Sequence, residues 1–227
     1  MENPSPDIHC VIFDCDGVLV DSEVLANQTA LDMLRPYGFE MSQSAYGGSF
    51  AGKTEEDILA IIRNDYGITL PDDFLTQVQS AISQRLDDEL QPIPGMHEVI
   101  ALLPVPTAVV SNSSLARVRS SLKVAQLSDF FGERLFAAEM VDRPKPAPDV
   151  YLYAAEQLNV APEHCLVIED SQSGVTAATA AGMTVIGFLA ASHIPDGHQR
   201  TLRTAGAAEV APDAAALQQA VSKFLNL

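Results

Sequence analysis

The stretch "FDCDGVLVDSE" (Phe13–Glu23) follows a short apolar run, Ile8–Ile12, with two carboxylates two residues apart, Asp14 and Asp16, and then Gly17. Such a pair can share the hydrolysis of a phosphate ester. One carboxylate attacks phosphorus and forms an aspartyl phosphate, which divides a difficult displacement into two steps. The other protonates the leaving oxygen and later deprotonates water. Gly17 lets the backbone turn away closely after the pair. Further along, Ser111 ends "TAVVS", Glu169 and Asp170 end "HCLVIED", and Lys145 lies in "RPKPAPD", a loop stiffened by prolines just before a helix. These carboxylates would repel one another strongly in one crevice unless a cation sat among them. An oxygen-only set suits Mg²⁺, which also takes waters and a phosphate oxygen. Lys145 and Ser111 would hold the transferring group.

These residues meet only if successive strands deliver them. The first strand is expected at about Ile8–Asp14. "TAVVSN", "RLFAA", "HCLVIED" and "MTVIGF" are short, apolar and rich in β-branched or aromatic residues, so they read as further strands. Val150–Leu158 and Val175–Ala181 read as helices between them, and the Ala-rich tail (Ala207–Leu227) as a last short strand and a closing helix. Alternation of this kind predicts a parallel sheet with helices on both faces. Such sheets bind ligands at the carboxyl ends of their strands.

From Ser22 to Leu90 the pattern is helical throughout. Val24, Leu31 and Leu34 mark one apolar face, Ile58, Leu59, Ile61 and Ile62 a second, and Leu75, Val78, Ile82 and Leu86 a third. "QPIPGMHEVI" (Gln91–Ile100) reads as a linker entering a new helix. The expected fold class is therefore α/β: a Rossmann-like parallel sheet flanked by helices, with an inserted all-α cap. Residues 1–17 and 93–227 form the core and 18–92 the insert, which leaves from the first strand and can sit over the sheet's carboxyl end.

Bulk properties narrow the function. The chain has 227 residues, 47% of them hydrophobic, enough for a packed core. Its start, "MENPSPDIHC", lacks a signal peptide's layout, and no apolar run has the ~18 residues of a membrane helix. A cytoplasmic protein with no membrane partner is expected. The formal charge of -17 gives no attraction to nucleic acid and would repel an anionic substrate at long range. A small phosphorylated metabolite would thus need local capture by a few positive groups and a cation. Cys10, Cys15 and Cys165 form no CxxC pair, which argues for buried thiols over disulfides or a zinc site.

With "DCDG", "VVSNSS", "KPAPD" and "VIEDSQSG" in this order, the chain resembles the haloacid dehalogenase (HAD) superfamily of phosphotransferases, in its subfamily with a small helical cap. The resemblance implies Asp14 as nucleophile and Asp16 as general acid and base. It implies phosphate binding by Ser111, Asn112 and Lys145. Mg²⁺ would be held by Asp14, the Asp16 carbonyl, Asp170 and Glu169, the last directly or through water. The most similar branch contains sugar-phosphate phosphatases and β-phosphoglucomutase. Such mutases carry a histidine where this chain has Ala26 and a phosphate-gripping arginine where it has Glu55. The resemblance therefore favours a phosphatase of sugar or sugar-acid phosphates, including 6-phosphogluconate; a monomer is expected. Mutase activity is the alternative. A 2-haloacid dehalogenase ranks lower because it needs neither Asp16 nor Mg²⁺, and a non-catalytic binding module is disfavoured by the intact set of catalytic groups.

"GGSFAGKT" (Gly47–Thr54) matches the P-loop pattern, but no buried strand precedes it. Thr54 with Asp57 instead suits a helix N-cap. In the capped family this stretch is a glycine turn directed at the active site, which makes Lys53 a candidate contact for the substrate's non-reacting end. "GFLAASHIPDGH" (Gly187–His198) reads as a loop in which Ser192 and His193 shape the turn or touch substrate.

Overall fold

The computed structural model describes residues 7–50 and 53–227, so the chain start and Ala51 and Gly52 of the P-loop-like stretch lie outside it. Six short strands form one sheet: β1 (Cys10–Phe13), β2 (Thr107–Ser111), β3 (Leu135–Ala137), β4 (Cys165–Glu169), β5 (Thr184–Phe188) and β6 (Glu209–Ala211). Their order is β3-β2-β1-β4-β5-β6, with every neighbouring pair parallel. Parallel strands are covered on both faces, which is why β1, β2 and β4 are unbroken runs of buried residues and do not alternate. The chain order reverses at β1, and the gap between its carboxyl end and that of β4 is where such a sheet offers a crevice.

Each strand is shorter than its apolar run suggested. His9 and Asp14 flank β1, yet both stay tied to the β4 side: His9 N–H donates to the His164 carbonyl (2.8 Å) and Asp14 N–H to that of Ile168 (3.0 Å). The two interior cysteines face each other in register across β1 and β4. All three thiols are free and buried. Burial pushes Cys10 up to about 12 and Cys165 to about 11, which makes them inert core groups.

The chain divides into two compact units, residues 1–21 with 91–227, and residues 22–90. Residues 18–21 and 91–92, assigned to the insert by sequence, belong with the sheet because they pair with each other. Asp21 N–H donates to the Gln91 carbonyl (3.2 Å), Ile93 N–H to that of Leu19 (2.9 Å), and Val20 bridges Pro92. A turn also closes on β1, where Leu19 and Val20 both donate to the Cys15 carbonyl.

The second unit is all-helical, with helices Ser22–Leu34, Gln43–Phe50, Glu55–Asp65 and Phe74–Glu89. Leu31, Leu34, Ile58, Leu59, Ile62 and Val78 are buried, as their spacing predicted. Phe39, Tyr46, Phe50 and Phe74 complete that core through edge-to-face contacts, Tyr46 meeting Phe50 at 4.8 Å and Tyr37 meeting Phe74 at 5.3 Å. Gly47 and Gly48 lie inside the second helix, which corrects the expected glycine turn and leaves no P-loop strand. Thr54 caps the third helix, accepting from Asp57 N–H at 3.2 Å. Among the described residues, no helix is long and apolar enough to cross a membrane.

Candidate active site

Asp14 leaves β1, Glu169 ends β4 and Asp170 follows it, so the parallel pairing of these strands puts three carboxylates side by side. One oxygen of each lies within 4.8 Å of the others, and all three residues are buried. Lys145 enters from its loop and uses all three ammonium protons. Its Nζ donates to Asp14 Oδ1 (2.6 Å), Glu169 Oε1 (2.8 Å) and the Val110 carbonyl (2.9 Å), with the Tyr151 ring centroid 5.0 Å away.

The electrostatics follow from this crowding. Burial opposes the charge on Lys145, but Asp14 and Glu169 outweigh it and hold the ammonium well above its ordinary value. Asp14 lies well above the usual carboxylate range because it is buried and, against the pull of Lys145, because Glu169, Asp170 and Asp16 repel its charge. One ammonium cannot balance three carboxylates. A divalent cation among them would relieve the repulsion, so this oxygen set fits the metal that the sequence suggested.

The Asp16 carboxylate is held apart from that cluster, by the hydroxyls of Ser113 (2.8 Å) and Ser111 (3.4 Å). Ser111 Oγ also accepts from the Ser113 N–H at 3.0 Å. The Asn112 amide pairs with the Lys145 backbone, donating to its carbonyl (3.1 Å) and accepting from its N–H (3.0 Å). This pairing ties Asn112, the residue expected to contact phosphate, to the loop that delivers Lys145. Gly17 adopts φ +86°, and a Cβ there would overlap the Asp170 carboxylate. Its bareness is what lets Asp170 approach β1. Lys53 belongs to the helical unit, where it is exposed beside the Thr54 cap.

Ser113, Ser171, Tyr151 and His198 escaped sequence reasoning, whereas Ser192 and His193 were expected to shape a turn or touch substrate. Ser113 sits within "VVSNSS", so its motif was visible but its role was not. Ser171 donates through its N–H (2.8 Å) and hydroxyl (2.9 Å) to Glu169 Oε2, while the buried Tyr151 hydroxyl lies 3.4 Å from Oε1. His198 Nε2 lies 2.7 Å from the Asp170 carbonyl, and His193 Nε2 lies 3.3 Å from Asp170 Oδ2. Ser192 donates to Asp21 through its N–H and hydroxyl, so the loop after β5 is anchored to the segment following β1.

Gly174 carries a testable consequence. It lies in the helix Gln172–Ala180, where a Cβ would overlap the Glu169 carboxylate. Gly174→Ala gains ~1 kcal/mol of helix propensity. Displacing Glu169 from Lys145 breaks a buried pair at a cost of about 3–5 kcal/mol. The broken pair outweighs the gain in helix propensity, so urea unfolding should show a net loss of about 2–4 kcal/mol. An unchanged midpoint would mean that Glu169 has room to move.

Comparison with known proteins finds relatives along most of the chain. Residues 11–188 match the family model described as haloacid dehalogenase-like hydrolase. The chain is 32% identical over 187 residues to the 6-phosphogluconate phosphatase of Escherichia coli K12, covering 82% of this chain and 85% of that one. Its fold is similar to the crystal structure of a conserved haloacid dehalogenase-like protein of Agrobacterium tumefaciens, with TM-score 0.88 and 35% identity over 96% of this chain and 99% of that chain. A HAD-family hydrolase of Deinococcus radiodurans, crystallised with bound phosphate and sodium, matches with TM-score 0.85 and 33% identity, covering 96% and 97% of the respective chains.

Proposed function

The chain belongs to the haloacid dehalogenase-like hydrolase family and is a phosphoric monoester hydrolase; from that premise we propose a Mg²⁺-dependent, cytoplasmic phosphatase of sugar or sugar-acid phosphates, of which 6-phosphogluconate is the leading example. The observation that carries this reading is the separation of two carboxylate environments. Asp14 sits in the buried cluster with Lys145, whereas Asp16 is held by Ser111 and Ser113.

In the proposed reaction an oxygen of Asp14 forms a bond to phosphorus as the bond from phosphorus to the ester oxygen breaks. Asp16 gives that oxygen its proton. Water then attacks the aspartyl phosphate, Asp16 takes the proton, and the Asp14–phosphorus bond breaks to release inorganic phosphate. Lys145 orients Asp14 and holds positive charge beside the transferring group, and Ser111 and Ser113 aim Asp16. Asp14, Glu169, Asp170 and the Asp16 carbonyl would hold Mg²⁺, which when bound supplies screening between the anionic nucleophile and the anionic phosphate. The negative charge of the chain repels an anionic substrate at long range, so substrate capture depends on local cations. Lys53 suits the far end of a sugar acid, where its ammonium would meet the carboxylate. Ala26 and Glu55 set the reading apart from a mutase, because a carboxylate in place of a cation cannot grip a second phosphate.

The test is phosphate release in Mg²⁺ across a panel of sugar and sugar-acid phosphates, with glucose 6-phosphate formation from β-glucose 1-phosphate followed in parallel. Activity should be highest on members of that panel. Glucose 6-phosphate without free phosphate would establish the mutase instead. Chelation should stop turnover, and added Mg²⁺ should restore it. Full turnover in excess chelator would remove the metal from the reading.

A further inference from the structure

The amino end of the sheet carries a second constellation of metal-ligating groups. His9 immediately precedes β1 and His164 immediately precedes β4, so parallel pairing brings the two side chains together one strand length from Asp14 and Glu169. Strands of four and five residues at ~3.3 Å per residue put roughly 15 Å between the two ends. The backbone fixes the approach, with His9 N–H donating to the His164 carbonyl at 2.8 Å. The rings stack with centroids 4.5 Å apart and planes 21° from parallel, so one ring must turn out of the stack before both can aim a nitrogen at a single ion. Asp7 completes the group: one ligand atom from each of Asp7, His9 and His164 lies within 4.8 Å of the others.

We propose that Asp7, His9 and His164 form a second cation site, selective for a divalent transition ion such as Zn²⁺ and independent of the carboxylate site at the other end of the sheet. Two features favour ligation. His164 Nδ1 lies 2.7 Å from the Asp7 carbonyl, which can only accept, so Nδ1 carries the proton and Nε2 offers a lone pair. An imidazole anchored through its other nitrogen to a backbone carbonyl is the usual support for a metal-bound histidine. His9 Nε2 and Asp7 Oδ2 stand 3.0 Å apart. That matches the roughly 3.3 Å expected between two ligands about 2.0–2.1 Å from one tetrahedral ion, which would replace the proton they now share. Two imidazoles with one carboxylate favour Zn²⁺, Ni²⁺ or Cu²⁺ over Mg²⁺, whereas the all-oxygen cluster has the reverse preference. Asp7 and His9 are well exposed, so ions reach the site directly.

Zn²⁺ binding should be measured by competition with a chromophoric chelator in millimolar Mg²⁺, with the ring signals of the five histidines followed by NMR. One Zn²⁺ should move the His9 and His164 signals together. His9→Ala and His164→Ala should each weaken that binding by about a hundredfold. Both variants should keep their zinc-free melting temperature and their Mg²⁺-dependent phosphate release, because neither residue belongs to the catalytic cluster. Zinc affinity unaltered in both variants, or His9 and His164 signals that stay in place while zinc binds, would overturn the proposal.

Discussion

Asp14→Asn should lower phosphate release by on the order of 10⁴-fold or more while leaving the fold intact. The size follows from the proposed role: an amide oxygen cannot serve as the nucleophile that splits the displacement, and no other group in the cluster would replace it. Stability should hold or rise slightly. Asp14, Glu169 and Asp170 crowd a single ammonium, and burial with that repulsion already holds the Asp14 carboxyl well above its ordinary value. Replacing one of the carboxylates leaves Lys145 paired with Glu169 at 2.8 Å. Asp16→Asn gives the contrasting result, slowing both formation and breakdown of the aspartyl phosphate while burst measurements still detect the intermediate. Initial rates and urea midpoints on the same preparations separate the two variants. Wild-type turnover in Asp14→Asn would remove it as nucleophile.

Lys145→Met should lose about 3–5 kcal/mol of stability together with most of its turnover. This is the converse case, since it removes the one ammonium and keeps the acids. Lys145 is buried and bonded to Asp14, Glu169 and the Val110 carbonyl, so its loss removes a charged donor from two buried carboxylates and a carbonyl. A methionine fills most of the space but supplies no charge. Mg²⁺ should recover part of the lost stability, because a cation bound to the folded state alone shifts the unfolding equilibrium by mass action. Urea unfolding with and without Mg²⁺ reads both effects. Equal stability of variant and wild type would show that Lys145 does not neutralise the cluster.

The same asymmetry explains what kind of information lay in the chain order. The spacing of Asp14 and Asp16 after an apolar run, and of Glu169 and Asp170 after another, identifies strand ends because burial on both faces demands unbroken apolar residues. Alternation of such runs with helices identifies the parallel sheet, and a sheet's carboxyl edge collects whatever ends its strands. The helical insert was legible from its 3.6-residue periodicity, and the Thr54 cap from its residue types. Those features are local, so sequence alone determined them.

Partners were not legible. Asn112 donates to a carbonyl at Lys145, Ser113 to Asp16, and His198 lies against the carbonyl of Asp170, pairings that join residues far apart in the chain. No local rule states them, because a polar side chain's partner depends on which loops the completed sheet brings within about 3 Å of it. Glycines divide in the same way. A bend after Asp16 was foreseeable, but the need for bare backbone at Gly17 and Gly174 comes from the carboxylates of Asp170 and Glu169 lying against them. Gly47 and Gly48 suggested a turn and lie in a helix, where Tyr46 and Phe50 in the apolar core decide the conformation over the intrinsic cost of glycine. Sequence determined which residues reach the crevice. Tertiary packing decided which of them face the reaction and which hold the others in place, since burial requires every polar group there to find a partner.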